Sequence, residues 1–198
     1  MTESEYSFKR VYDTSALEGF YCGEKSMDDF IHDKARGLDR FIKLGVSNLW
    51  VVSYEGEVVA MFALSKDALV LNNEDRIYMQ SKSSCEKDED KFWSQEKYPA
   101  IEIDYLAIRR EARCKHIGSL IVAAIEQKAL QDTLSATMFL TVDAFDTAQY
   151  SAVGFYLKCG FAFSEVAQNK YNFDVTFGSR PTVRRMYKIL LRAENIAS

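Results

Sequence analysis

Apolar residues recur at a helical period from Met27 to Ile42, with Met27, Phe30, Ile31, Ala35, Leu38 and Ile42 on one face. Ser26 precedes this run and Asp29 follows three residues later, a capping-box spacing that predicts one helix opening at Ser26. The pattern then changes. "LWVVSYEGEVVAMFALS" holds two β-rich stretches on either side of Glu55-Gly56 and predicts a hairpin. Residues 72–97 are polar and densely charged, and read as an insertion, either a long loop or partly helical. After Pro99 the elements alternate: a strand "AIEIDYLAI", a helix "HIGSLIVAAIEQKAL", a strand "TMFLTVDA", a helix "TAQYSAVGFYLKCG" stopped by Gly160, and a strand "FAFSEVA". "VRRMYKILL" then closes the sheet. Strand–helix–strand order predicts an α/β fold with at least one parallel crossover.

Composition adds little that changes this picture. A chain of 198 residues with 47% hydrophobic and 27% charged positions suits one domain spanning 1–198, with the polar insertion at about 72–97. No apolar run approaches the ~18 residues of a membrane helix. The start "MTESEYSFKR" lacks a signal peptide's apolar core, so a cytoplasmic protein with no membrane partner is expected. Four scattered cysteines (Cys22, Cys85, Cys114, Cys159) and two histidines (His32, His116) lack the clustering of a metal site, and no metal is expected.

Charge is more informative locally than in total. The net charge of −4 disfavours nucleic-acid binding through a wholly basic surface. Yet Arg109, Arg110, Arg113 and Lys115 flank one turn, and Arg180, Arg184, Arg185, Lys188 and Arg192 gather near the C-terminus. The first group surrounds "RCKHIGS", where a strand gives way to a helix. The start of a helix presents unpaired N–H groups and a positive dipole end, which bind phosphate oxygens without a special side chain. Gly118 lets a ligand come close, and Arg113 and Lys115 add charge. Phosphate binding and a plain helix start both remain open on the turn alone.

The surroundings raise the phosphate reading. "LAI", four residues, then "RCKHIG" resembles the acetyl-CoA signature of the GNAT acyltransferase superfamily, Gln/Arg-x-x-Gly-x-Gly/Ala. Arg113 takes its first place, His116 the first glycine place and Gly118 the second. "SAVGFYLKCGF" resembles the second signature, Ala-x-x-Phe-Tyr-x-x-x-Gly-Phe, at Ala152, Phe155, Tyr156, Gly160 and Phe161. "FYCGEKSMDDFIHDKA" is similar to the opening of a branch that includes the acetylating toxins of toxin–antitoxin pairs. His116 and Cys114 stand where glycine is usual, and Tyr105 where that branch often has arginine.

The resemblance implies a mixed central sheet of six to seven strands, splayed in the middle and flanked by about four helices. It implies transfer of acetyl from acetyl-CoA to a primary amine in a direct ternary complex. Cofactor contacts would come from Leu106, Ile108, Arg113, Cys114, Lys115, His116, Ile117, Gly118, Ser119, Gln149 and Phe155. Tyr156 matches the general acid that protonates the departing thiolate. Glu102 lies where another branch carries its base, and Asp104, two residues on, shares its strand face. Water is the alternative base, and pairing with Arg109 or solvent the alternative use of the carboxylates. In the toxin branch the acceptor would be aminoacyl-tRNA, with an antitoxin partner and a homodimer as further expectations. A non-catalytic acyl-CoA-binding or regulatory module is the third reading. His32 reads as a surface residue, the run "EKDEDK" as a solvated loop, and Trp50, Phe62, Phe139 and Phe173 as core.

Overall fold

In the computed structural model, residues 6–82, 95–113, 116–132, 134–147, 149–178 and 182–190 are described, with backbone alone for 78–82, 166 and 177. Six strands form one sheet whose spatial order follows the chain: β1 (Tyr6–Val11), β2 (Asn48–Tyr54), β3 (Glu57–Val70), β4 (Lys97–Ile108), β5 (Phe139–Phe145) and β6 (Val183–Ile189). Six helices stand among the described residues rather than about four: α1 (Lys25–His32), α2 (Leu38–Lys43), α3 (Asn73–Lys82), α4 (Ile117–Gln131), α5 (Val153–Lys158) and α6 (Glu165–Phe177).

Pairing is antiparallel for β1 with β2, β2 with β3 and β5 with β6, and parallel for β4 with β5. Parallel neighbours need a crossover, and α4 supplies it. The parallel register runs only from Ala100–Phe139 to Glu102–Thr141, whereas β4 continues to Ile108.

The chain divides into two compact units, residues 1–65 with 103–128, and residues 66–102 with 129–198. The first unit packs Leu17, Phe20, Ile31, Leu38, Leu49 and Met61 into a buried core. Its long helix α4 buries Ile117, Ile121 and Ile125 at a spacing of four, which lays one face inward. The second unit is built on Tyr98, Phe139 and Tyr187, whose rings meet edge to face at 5.8 and 5.9 Å.

The predicted helix from Ser26 is two helices. Asp33 ends α1 because its carboxylate accepts from the N–H of Ala35 at 2.9 Å and of Arg36 at 3.0 Å, a local alternative to the helical ladder. Gly37 then passes so close that a Cβ would lie 2.0 Å from the Phe30 carbonyl oxygen. Ser26 is not the cap either: α1 begins at Lys25 with Glu24 extended before it and no side-chain cap bond. The hairpin stands as expected, with Tyr54 paired to Glu57 and positive φ at both Glu55 (50°) and Gly56 (84°).

The insertion contains α3, and β4 starts at Lys97, before Pro99. The run "EKDEDK" lies outside the described residues. The expected strand at 161–167 is a correction. Only Ala162 pairs, as a single bridge to Tyr187, and then Ser164 caps α6 by accepting from Ala167 N at 3.2 Å. Gly178, left-handed at φ 72°, stops that helix.

A buried cation fastens α6. Arg184 Nε donates to Asp146 at 2.7 Å and Nη1 to Asp174 at 2.9 Å, and its guanidinium lies 4.8 Å over the Tyr171 ring. Of the aromatics expected in the core, Phe62 and Phe139 are buried, Trp50 is half-buried and stacked on Phe62, and Phe173 is 60% exposed. No helix among the described residues is long and apolar enough to cross a membrane.

Candidate active site

The turn after β4 belongs to the first unit. A short 3-10 helix, Arg110–Ala112, leads from the strand to Arg113; Cys114 and Lys115 lie outside the described residues. His116 has φ 59°, the left-handed conformation that glycine adopts freely and histidine tolerates. The backbone of a motif glycine is thus kept without the glycine. The His116 carbonyl accepts from Leu120 N at 3.1 Å, so the residue serves as the N-cap of α4, with Ile117 and Gly118 buried behind it and Ser119 exposed.

Left-handed geometry costs an L-residue about 1–2 kcal/mol that glycine does not incur. His116→Gly is therefore expected to match or exceed the parent in urea unfolding, within about 1 kcal/mol once glycine's greater unfolded-state entropy is counted. His116→Val should fall below it by about 1–2 kcal/mol.

Two of the three described arginines of the basic stretch donate from their side chains to main-chain carbonyls. Arg109 donates from Nε to the Val58 carbonyl at 2.9 Å, and its guanidinium lies 5.9 Å over the Phe20 ring. Arg110 runs alongside Gly23, and Arg113 donates from Nη2 to the Cys22 carbonyl at 2.6 Å. The Cys22 thiol is buried, and burial, followed by its bond with Asp28, pushes its pKa up to about 11, so it is no nucleophile at neutral pH. His32 is not a free surface residue; its Nε2 lies 2.8 Å from the Phe20 carbonyl oxygen, with the ring against Tyr21.

The strand carboxylates go to separate partners. Asp104, in the first unit, accepts from Ser47 Oγ at 2.5 Å and Ser65 Oγ at 2.7 Å. Glu102, in the second, accepts from Arg185 Nη1 at 2.6 Å, a partner other than the solvent or Arg109 that the sequence offered as the alternative to a base role. Arg185 also pairs with Asp67 and, at 3.4 Å, with Asp143, while Thr141 Oγ1 donates to Asp67 at 2.5 Å. Burial raises the Glu102 carboxyl above its ordinary value, against the neighbouring guanidinium, which pulls it down.

Tyr156, in the second unit, is 6% exposed on α5. Its ring meets Phe155 at 4.9 Å and Phe161 at 5.2 Å, both edge to face, so three motif aromatics form one cluster. Burial holds the phenol above its usual value, with Tyr150 and Cys159 adding to the effect. The hydroxyl therefore stays protonated throughout the neutral range. Gln149 is exposed, Phe155 half-buried, and Leu106 and Ile108 half-buried on β4. Among the described residues no group of three or more His, Cys, Asp or Glu is placed to hold a metal ion.

Sequence reasoning missed Asp28, Ser47, Ser65 and Arg185 as partners in these networks. Only Arg185 carried a signal, as a member of the C-terminal basic cluster. Asp28 was passed over for Asp29, one residue along, which pairs instead with Lys25 at 2.6 Å on the surface.

The sequence profile described as the Acetyltransferase (GNAT) family matches residues 14–161. No curated protein matches the sequence. Among solved structures, the chain is similar to AtaTR bound with acetyl-CoA, at 16% identity and TM-score 0.64, covering 98% of this chain and 99% of that one. AtaT complexed with acetyl-methionyl-tRNAfMet is similar at 16% identity and TM-score 0.62, covering 96% of each chain. A tyrosine-to-phenylalanine variant of KacT is similar at 15% identity and TM-score 0.65, covering 97% of this chain and 99% of that one. At these identities the likeness is one of fold.

Proposed function

The chain belongs to the acetyltransferase (GNAT) family, and from that premise we propose that it passes the acetyl group of acetyl-CoA directly to a primary amine, both substrates bound together. The observation that carries this reading is the turn before α4, where His116 adopts a glycine's left-handed backbone at the phosphate-signature position. The N–H groups opening α4 would meet the pyrophosphate, and backbone groups at Leu106 and Ile108 the pantetheine.

The chemistry is one addition and one elimination. The neutral amine nitrogen bonds to the thioester carbon, and the carbonyl oxygen takes up the displaced pair as an oxyanion. Collapse of that intermediate breaks the carbon–sulfur bond; the thiolate takes the Tyr156 proton, and the proton shed by the new amide nitrogen restores the phenol. A main-chain N–H on β4 would stabilise the oxyanion. Since Asp104 and Glu102 each already hold partners, release of the amine proton to water is favoured as the base step. Glu102→Gln separates the alternatives: a base at Glu102 loses rate near neutral pH and regains it at high pH, where the amine deprotonates unaided.

A narrower reading concerns the acceptor. The "FYCGEKSMDDFIHDKA" run and the similarity to AtaT with acetyl-methionyl-tRNAfMet support an amine carried by charged tRNA, with an antitoxin as protein partner. The experiment pairs calorimetric titration of acetyl-CoA with radiolabelled acetyl transfer to charged tRNA, small amines and peptides. Binding with label on charged tRNA supports both readings, and label on another amine class keeps the enzyme and removes the tRNA. Binding with no transfer to any of these would favour a regulatory acyl-CoA-binding module, and absence of binding at millimolar acetyl-CoA overturns the proposal.

A further inference from the structure

A loop far back in the chain reaches the turn that opens α4. From the first turn of α1, the Asp28 carboxylate accepts from Cys22 N at 2.8 Å through Oδ1 and from Gly23 N at 3.0 Å through Oδ2. Both carboxylate oxygens are thus spent on fixing one short loop. That loop in turn holds the basic turn. The Cys22 carbonyl accepts from Arg113 Nη2 at 2.6 Å, across 91 positions of sequence, and the Tyr21 carbonyl accepts from Arg110 N at 3.4 Å.

Gly23 completes the fit, since a Cβ there would stand 3.1 Å from Arg110 Cδ, and its φ of 81° is a left-handed value that glycine adopts freely. Every one of these residues lies in the same unit. A guanidinium has five N–H donors in a fixed fork, so binding one of them to a rigid carbonyl sets the direction of the rest. Exposed arginine otherwise loses substantial rotamer freedom on meeting an anion, and pre-alignment reduces that loss.

We infer that Asp28 is a positioning residue for acetyl-CoA: through the Cys22 and Gly23 amides it fixes the carbonyl that aims Arg113 at the phosphates. The inference rests on the acetyl-CoA reading above and extends it to a residue outside both signatures. The Cys22 thiol also bonds to Asp28, so that carboxylate holds this residue through side chain and backbone alike.

The test is a double-mutant cycle read by acetyl-CoA titration of the full chain. Asp28→Ala and Arg113→Ala are each expected to weaken acetyl-CoA binding about tenfold, and the double variant no further than the weaker single, since Asp28 acts through Arg113. Additive losses in the double variant, or unchanged affinity in Asp28→Ala, overturn the inference while leaving acetyl-CoA binding by the parent intact. A parent that binds no acetyl-CoA overturns the functional reading itself. Should Asp28→Ala fail to fold, Asp28→Asn, which keeps one acceptor oxygen of two, carries the same cycle.

Discussion

Tyr156→Phe is expected to lower turnover by a factor on the order of a hundred or more, the usual worth of a positioned general acid. The substitution removes one hydroxyl and keeps the ring that meets Phe155 and Phe161, so folding should survive. Acetyl-CoA affinity should change little, because the lost interaction is made mainly in the transition state. Burial raises the phenol pKa, which at first sight makes it a poorer acid. The same dry surroundings raise the basicity of a thiolate formed within them, so the proton still has somewhere to go. The sign of the pH dependence follows. A phenol whose pKa lies above 10 is protonated and competent at every lower pH, so Tyr156 imposes no loss of activity on the alkaline side until beyond its raised value. Any rise in rate with pH below that point belongs to the acceptor amine or to a base such as Glu102, and not to Tyr156. A Tyr156→Phe enzyme with full activity on a verified acceptor sinks the assignment.

The second large effect is on stability. Arg184→Leu should cost about 3–5 kcal/mol, because it leaves the carboxylates of Asp146 and Asp174 buried without their counter-charge. That is a large part of the ~5–15 kcal/mol that holds a typical domain together. Adding Asp146→Asn and Asp174→Asn to the same chain should recover much of the loss, since the buried charge is then gone. Urea unfolding of the three proteins measures both numbers, and a loss under about 1 kcal/mol for Arg184→Leu alone would show the cluster to be dispensable.

What could be read in the sequence was what depends on near neighbours. The hairpin at Glu55-Gly56 and the strand–helix–strand run from β4 to β5 rest on local periodicity and turn chemistry, and both are present. The helix at Met27–Ile42 failed for a reason periodicity does not contain. Its apolar spacing runs unbroken across Asp33, yet the Asp33 side chain competes for the backbone N–H groups that would continue the helix. At 161–167 the alternation was real for three residues, with Phe161 and Phe163 buried and Ala162 exposed, before Ser164 started a helix. Phe173 then follows on that helix with an exposed ring, where residue type alone suggested core. The motif positions were readable because their residues sit close together. Their partners were not: Arg185 meets Glu102 across 83 positions, and no local pattern announces such a pairing.

Those long separations set a timetable for synthesis. Asp67 is made 118 residues before Arg185, the guanidinium that neutralises it. At roughly 5–20 residues per second that is a wait of roughly 6–24 seconds on the ribosome. Throughout it the strand bearing Leu69 has no finished core to enter, since Phe139 and Tyr187 are still to come. The β1–β2–β3 part of the sheet can form while translation goes on, because its last strand ends at Val70. The unit that carries Tyr156 cannot be complete until β6 has emerged. A nascent chain is therefore catalytically silent for most of its own elongation, and its exposed strands are the segment a ribosome-bound chaperone would meet.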